Sequence, residues 1–206
     1  MSGTISFNPY GTSQPQNSFL SQTQGYVQGV AYDDPSVRME LERGILASTE
    51  TVVMWGGIPV SELINTTGTG ADGIGPVLKR STSQATVTGI SVFNQAHSMV
   101  IVPGASTPTA AINNFVAFYR FQSNARIAVA CDPALISAIT GAGDGILSQA
   151  LYWDVTNYRI TLTTSGGNFA LPTSVKLLST NGNSKIVTYS NSAANWTTGS
   201  AAIIQI

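Results

Sequence analysis

The chain has 206 residues, of which 43% are hydrophobic and only 9% charged, and its formal net charge is −1. Soluble domains usually carry about 25% charged residues, so the polar surface here must come from 23 Ser, 23 Thr, 13 Asn and 10 Gln. The near-neutral balance argues against nucleic acid as a partner, which needs a basic face to displace counterions, while the length suits one domain, alone or with a small appendage, and a sizeable core.

Residues 1–32 contain no Lys, Arg, Asp or Glu, and the first charge in the chain is Asp33. Free tails stay soluble through net charge and low hydrophobicity. This segment instead interleaves Ile5, Phe7, Tyr10, Phe19, Leu20, Tyr26, Val27, Val30 and Tyr32 with Ser, Thr, Gln, Asn and Gly. It reads as an extended arm that lies against another surface. Phe7, Tyr10, Phe19, Leu20, Tyr26 and Val27 are its candidate anchors, and Asp33, Asp34, Arg38 and Arg43 are candidates for setting register where the arm enters the domain.

Two patterns compete just after the arm. Asp34 as N-cap, Pro35 at the first helical position and Gly44 past the end spell a short helix. Val37, Met39 and Leu41 alternate with Arg38, Glu40 and Glu42, which spells a half-buried strand. The β character of the rest of the chain favours the strand. A second strand is expected over Thr51–Trp55, stopped by Gly56-Gly57. The Gly-rich stretch 65–76 marks a boundary, so residues 33–75 form an N-terminal β segment with its linker and 76–206 the main β domain.

Beyond the boundary, strands are expected at Val77–Arg80, Ala85–Phe93, Met99–Val102, Phe115–Phe121, Arg126–Ala130, Tyr158–Thr163, Val175–Ser179, Lys185–Tyr189 and Ala201–Ile206. Many short strands at this spacing predict an all-β barrel or jelly-roll-like sandwich. Asn181-Gly182 predicts a tight hairpin turn between the two runs that flank it, and Ser165–Asn168 a second turn. One short helix is expected, with Asp132 as cap, Pro133 at its first position, Ala134–Thr140 as its body and Gly141 as its stop.

Chemistry-bearing motifs are sparse. Gly68-Thr69-Gly70-Ala71-Asp72-Gly73 matches a dinucleotide fingerprint in letters only, because Gly75-Pro76 cannot open the helix that such a site requires. His97 is the sole histidine and sits beside the apolar run Met99–Val102, so a structural role is favoured over a catalytic base. Cys131, the only cysteine, follows Ala128-Val129-Ala130 and reads as a small buried hydrophobe. One His and one Cys cannot form a soft-metal cluster. The ten carboxylates show no spacing that singles out a catalytic pair, and caps, turns and ion pairs are their expected use. Trp55, Trp153 and Trp196 are expected in the core or at an interface rather than as a sugar platform. No membrane span is expected, since Pro103, Gly104, Pro108 and Asn113-Asn114 break the uncharged stretch Ser98–Tyr119. No secretory signal is expected at the N-terminus, and glycosylation at Asn65 or Asn195 is not anticipated.

Several blocks, taken in order, carry a resemblance. These are Gly25-Tyr26-Val27 leading into YDDPSVRMELERGILA, then VVMWGGIPVSEL, KRSTSQATVTGISVFNQA, VAFYRFQSNARIAVACDPAL, YWD and AAIIQI. The series resembles the structural cement, or decoration, proteins of tailed bacteriophage capsids over roughly residues 25–206, most tellingly at Lys79–Phe93 and Tyr119–Val129. The resemblance implies a β-barrel or jelly-roll-like domain with an extended N-terminal region. It also implies a non-enzymatic protein without cofactor or metal, made in the host bacterial cytoplasm and placed on the virion exterior. Its implied partners are the major capsid protein and further copies of itself, as dimer or trimer. The alternative is a tail or fibre adhesin with a carbohydrate-binding β-sandwich.

Overall fold

The structure is a computed structural model, described here for residues 25–32, 37–66, 75–93, 107–141 and 149–206. Eleven strands and one α-helix lie among them. The anchors Phe7, Tyr10, Phe19 and Leu20, the residues Asp33 and Asp34, the side chain of Arg38, His97, the expected strand Met99–Val102 and the Gly68–Gly73 motif fall outside the described residues.

Five strands close a barrel: β1 (Glu42–Leu46), β2 (Pro59–Leu63), β3 (Val77–Arg80), β4 (Gly89–Val92) and β5 (Phe115–Arg120), in the order β1-β3-β2-β4-β5. Only β1 and β3 run parallel, and every other neighbour in the ring is antiparallel. Closure leaves the barrel without a free edge. Its interior holds Leu46, Val60, Leu78, Val116 and Phe118, all fully buried and on one face of the register. The all-β expectation holds in its barrel form. The Gly-rich stretch does not separate two structural units, because β1 and β2 precede it and pair with strands that follow it.

Beyond β5 the chain turns at Gln122 and Asn124, both at positive φ, and enters a second sheet as β6 (Arg126–Ala130). There β11 (Ala193–Gln205) runs between β10 (Lys176–Ser190) and β6. A third sheet sets β7 (Tyr152–Asp154) between β8 (Arg159–Thr161) and β9 (Phe169–Ala170). It joins the second sheet where Cys131 bridges Ile160. Helix α1 (Pro133–Gly141) starts where expected, with the Asp132 carboxylate accepting the Ala134 N–H at 3.0 Å. Gly141 is its last helical residue rather than the one beyond it.

Three local expectations are corrected. Val37–Glu40 is a 3-10 turn, not a strand. Met39 stands 91% exposed, so the strand alternation fails at its centre and the helix-start signal prevails. Thr51–Trp55 forms no strand, only an isolated bridge from Met54 to Ala110. The carbonyls of Val52 and Val53 are turned onto the Arg80 guanidinium and cannot serve a ladder. Asn181-Gly182 is not a hairpin turn but a bulge inside β10, where the register with β11 shifts between Asn181 and Ser184. The hairpin closes instead at Asn191-Ser192, whose φ values of 50° and 60° meet the demand of a two-residue turn for positive φ at both positions. The runs on either side of Asn181-Gly182 are one strand because the uninterrupted β11 pairs with both.

The three sheets meet around Arg80. Its guanidinium pairs with Glu50 at 3.0 Å and lies 5.2 Å from the Trp55 ring and 5.6 Å from the Tyr158 ring. Trp55 stacks on Tyr189 at 5.7 Å and meets Tyr158 edge-on at 5.2 Å. Barrel, third sheet and long hairpin thus each contribute one ring. Burial pulls the Arg80 pKa below its ordinary value, and Glu50 opposes that pull. Removing one partner of a buried pair costs about 3–5 kcal/mol, and Arg80→Ala is expected to destabilise the fold by that order. Urea unfolding followed by Trp fluorescence measures it, and an unchanged midpoint would refute the stapling role.

Candidate interaction site

The last eight residues of the uncharged arm, Gly25 to Tyr32, are built into a seam between the barrel and the second sheet. Val27 bridges Lys185 of β10 in parallel, and Ala31 bridges Ile127 of β6 in antiparallel sense. Backbone bonds follow the segment: Lys185 N–H to Tyr26 O at 2.7 Å, Gln28 N–H to Lys185 O at 2.9 Å, Gly29 N–H to Ala128 O at 2.7 Å and Tyr32 N–H to Arg126 O at 2.7 Å. The segment therefore occupies both outer edges of the second sheet, which would otherwise present unpaired backbone at these places.

On its other side the seam grips the barrel. Phe93 N–H donates to Gly29 O at 2.8 Å. Gln28 is fully buried. Its amide donates to Gly56 O at 3.2 Å and accepts the Val187 N–H at 2.8 Å, so one side chain ties the barrel to β10. Gly29, at φ 81°, crosses Gly56 backbone to backbone, and a Cβ on either would stand 2.6 Å from the other's Cα. No residue but glycine fits at either place.

Of the expected anchors, the seam contains Tyr26 and Val27. Val27 is 8% exposed within its own chain. It is used by its own fold, because β10 supplies a ladder partner within the chain. Tyr26 shares a hydrogen bond of 2.8 Å with Ser179 and meets Tyr32 edge-on at 6.4 Å. Burial raises the Tyr32 phenol pKa above its ordinary value. Arg43 lies apart from the seam, exposed on β1 with its guanidinium 5.3 Å from the Phe115 ring. Sequence reading missed Gln28, Gly29 and Gly56. A Gln in a Gln-rich arm carries no local signal, and Gly56 looked like the stop of a strand.

Five of the six described carboxylates are engaged elsewhere. Arg120 binds Glu62 at 2.7 Å and Glu42 at 2.9 Å, with its guanidinium 5.8 Å from the Phe118 ring. Asp132 caps α1 and pairs with Arg159 at 3.1 Å. Burial alone would raise the Asp154 pKa, but bonds from Asn157 and Thr156 and the nearby Arg159 outweigh it and hold the carboxylate below its usual range. Those bonds close the turn between β7 and β8. Among the described residues, no group of three or more His, Cys, Asp or Glu is placed to hold a metal. Trp55 and Trp153 are buried, and Trp196 packs edge-on against Phe93 at 5.5 Å. A groove of about 430 Å³ opens between the ends of β1 and β2, lined by Leu46, Leu63, Ile64 and Lys79 among others.

No protein-family model matches the chain, and neither a search of curated proteins nor one of solved structures finds a match.

Two outcomes are expected. Gln28→Leu leaves Gly56 O and Val187 N–H buried without partners, each costing about 1–3 kcal/mol, so its urea midpoint should fall well below that of the wild type; an equal midpoint would deny the tie. Burial pushes the Cys131 thiol up to about 12. A thiol-reactive dye at neutral pH should leave the native chain unlabelled and react in urea, and native labelling would show an accessible thiolate.

Proposed function

We propose that this chain is a non-enzymatic structural protein that binds the outside of a tailed-phage capsid and cements neighbouring major capsid protein subunits. The observation that carries the reading is the seam. An arm whose root is bonded along both edges of a sheet can transmit load from whatever its upstream residues hold to the domain. The uncharged composition supports the same reading, since neutral polar groups are cheaper to desolvate against a neighbour than charges. So does the resemblance of the sequence blocks, and so does the use of five of the six described carboxylates in caps, turns and ion pairs.

Residues 1–24 could reach up to about 80 Å at roughly 3.3 Å per residue, enough to cross a subunit boundary. Ordering such a length costs about 1–2 kcal/mol per residue, while each buried Phe, Tyr or Leu returns about 1.5–3 kcal/mol. Anchoring by Phe7, Tyr10, Phe19 and Leu20 alone is therefore insufficient, and the arm must add its backbone to a strand edge on the shell. Binding at several lattice points multiplies the retention. The adhesin reading is weaker, because two of its three tryptophans are buried.

Deleting residues 2–24 spares the seam and should leave a folded domain that no longer co-sediments with phage shells. Full-length protein should stay bound as salt rises to about 0.5 M, because few charges are available for screening. Equal retention of the truncated chain would refute the arm's role, and release of the full chain by salt would indicate an ion-pair interface instead.

A further inference from the structure

We propose that Asn181-Gly182 is a self-modification site whose conversion loosens the root of the arm. The bulge sets Gly182 and Asn183 together opposite Ser200, since Asn181 pairs with Ala201 and Ser184 with Gly199. Neither Gly182 nor Asn183 has a register partner on β11. Gly182 is exposed and carries no side chain to shield its backbone nitrogen.

The Asn181 side chain is folded forward along the chain, past Gly182 to Asn183. Its Oδ1 accepts the Asn183 N–H at 2.7 Å, and Ser184 Oγ stands 3.4 Å away on the same oxygen. The Asn183 N–H on Oδ1 draws electron density from Cγ and makes it a better electrophile. The reaction needs water alone as co-reactant. The Gly182 nitrogen loses its proton to solvent base and attacks Asn181 Cγ, a C–N bond forms, and the side-chain nitrogen leaves as ammonia. Water then opens the cyclic imide at either carbonyl. One opening gives aspartate; the other gives isoaspartate, in which the former side-chain carbon has entered the backbone. Nothing is oxidised or reduced.

The site matters because of what it touches. Ser184 Oγ accepts the Tyr26 N–H at 3.0 Å and donates to Asn181 O at 3.3 Å. Gly25 packs on the Asn183 carbonyl so closely that a Cβ there would overlap it. An added backbone atom at position 181 displaces both supports, and the new carboxylate brings negative charge beside residues 25–32, which carry none. The attachment of Tyr26 to Lys185 then opens while the Gly29 crossing remains. The modification acts as a clock on the arm, and it stands whether or not the partner is a capsid.

The test is incubation of the full-length protein at pH 8 and pH 6, with peptide mass mapping of every asparagine and amide hydrogen exchange on the aged sample. Conversion is expected first at Asn181, faster at the higher pH, with exchange protection lost at Gln28 and Lys185 in the converted fraction. Gly182→Ala is tolerated by the fold, since the nearest atom to its Cβ would be Ile136 Cδ1 at 3.8 Å. It should slow conversion by an order of magnitude and preserve protection. Conversion at Asn181 no faster than at the neighbouring Asn183, or complete conversion with protection intact, would overturn the proposal.

Discussion

Where Gly29 crosses Gly56, two backbones touch with no side chain between them, and the mutual placement of the barrel and the long hairpin follows from that distance. Neighbouring groups take their positions from it. Gly56 O reaches the Gln28 amide, the other end of that amide reaches Val187 on β10, and Trp55, one residue before Gly56, stacks on Tyr189 farther along β10. A side chain at either glycine would push the hairpin off the barrel and break these contacts together. Cooperative loss of this kind is what makes neighbouring substitutions non-additive.

Charge is used sparingly and for fastening. Arg80, Arg120 and Arg159 each join segments distant in sequence, and each does so with carboxylates. The planar guanidinium suits this task, because it offers several donors in fixed directions and a flat face for aromatic rings. Arg80 uses both properties at once, with Glu50 at its edge and Trp55 and Tyr158 by its faces. The surface left over is dominated by hydroxyl and amide groups, which neither steer nor repel a partner at long range.

Local signals in the sequence located the elements that are stabilised locally. The Asp132-Pro133 start of α1, the apolar runs of β3, β5 and β6 and the Gly166-Gly167 turn, with φ values of 78° and 82°, were all legible because propensity and burial agree there. Thr51–Trp55 misled because its β-formers serve as a platform for Arg80, a use that depends on a residue far along the chain. Asn181-Gly182 misled because the dipeptide suits a bulge as well as a turn, and only the length of β11 decides between them. In residues 25–32 the absence of charge marked a segment that lies against a surface. For residues 25–32 that surface is the chain's own, which composition alone cannot distinguish from a neighbour's.

The partners of the seam lie far apart along the polypeptide: Tyr26 bonds Ser184, 158 residues away, and Gln28 bonds Val187, 159 residues away. Pairing at such separations slows folding, because the loop must close before any contact rewards it. On the ribosome the consequence is a long wait. The barrel strands emerge and can close while β10 is still unmade, and the sheet that receives the arm cannot exist before β11 arrives to join β10 to β6. Throughout that interval an adhesive, uncharged stretch of the chain, residues 1–32, is exposed on the nascent polypeptide. Crowded synthesis thus favours its capture by nascent neighbours, and a cell making this protein would need either dilution or a chaperone to keep the arm free until its own sheet is ready.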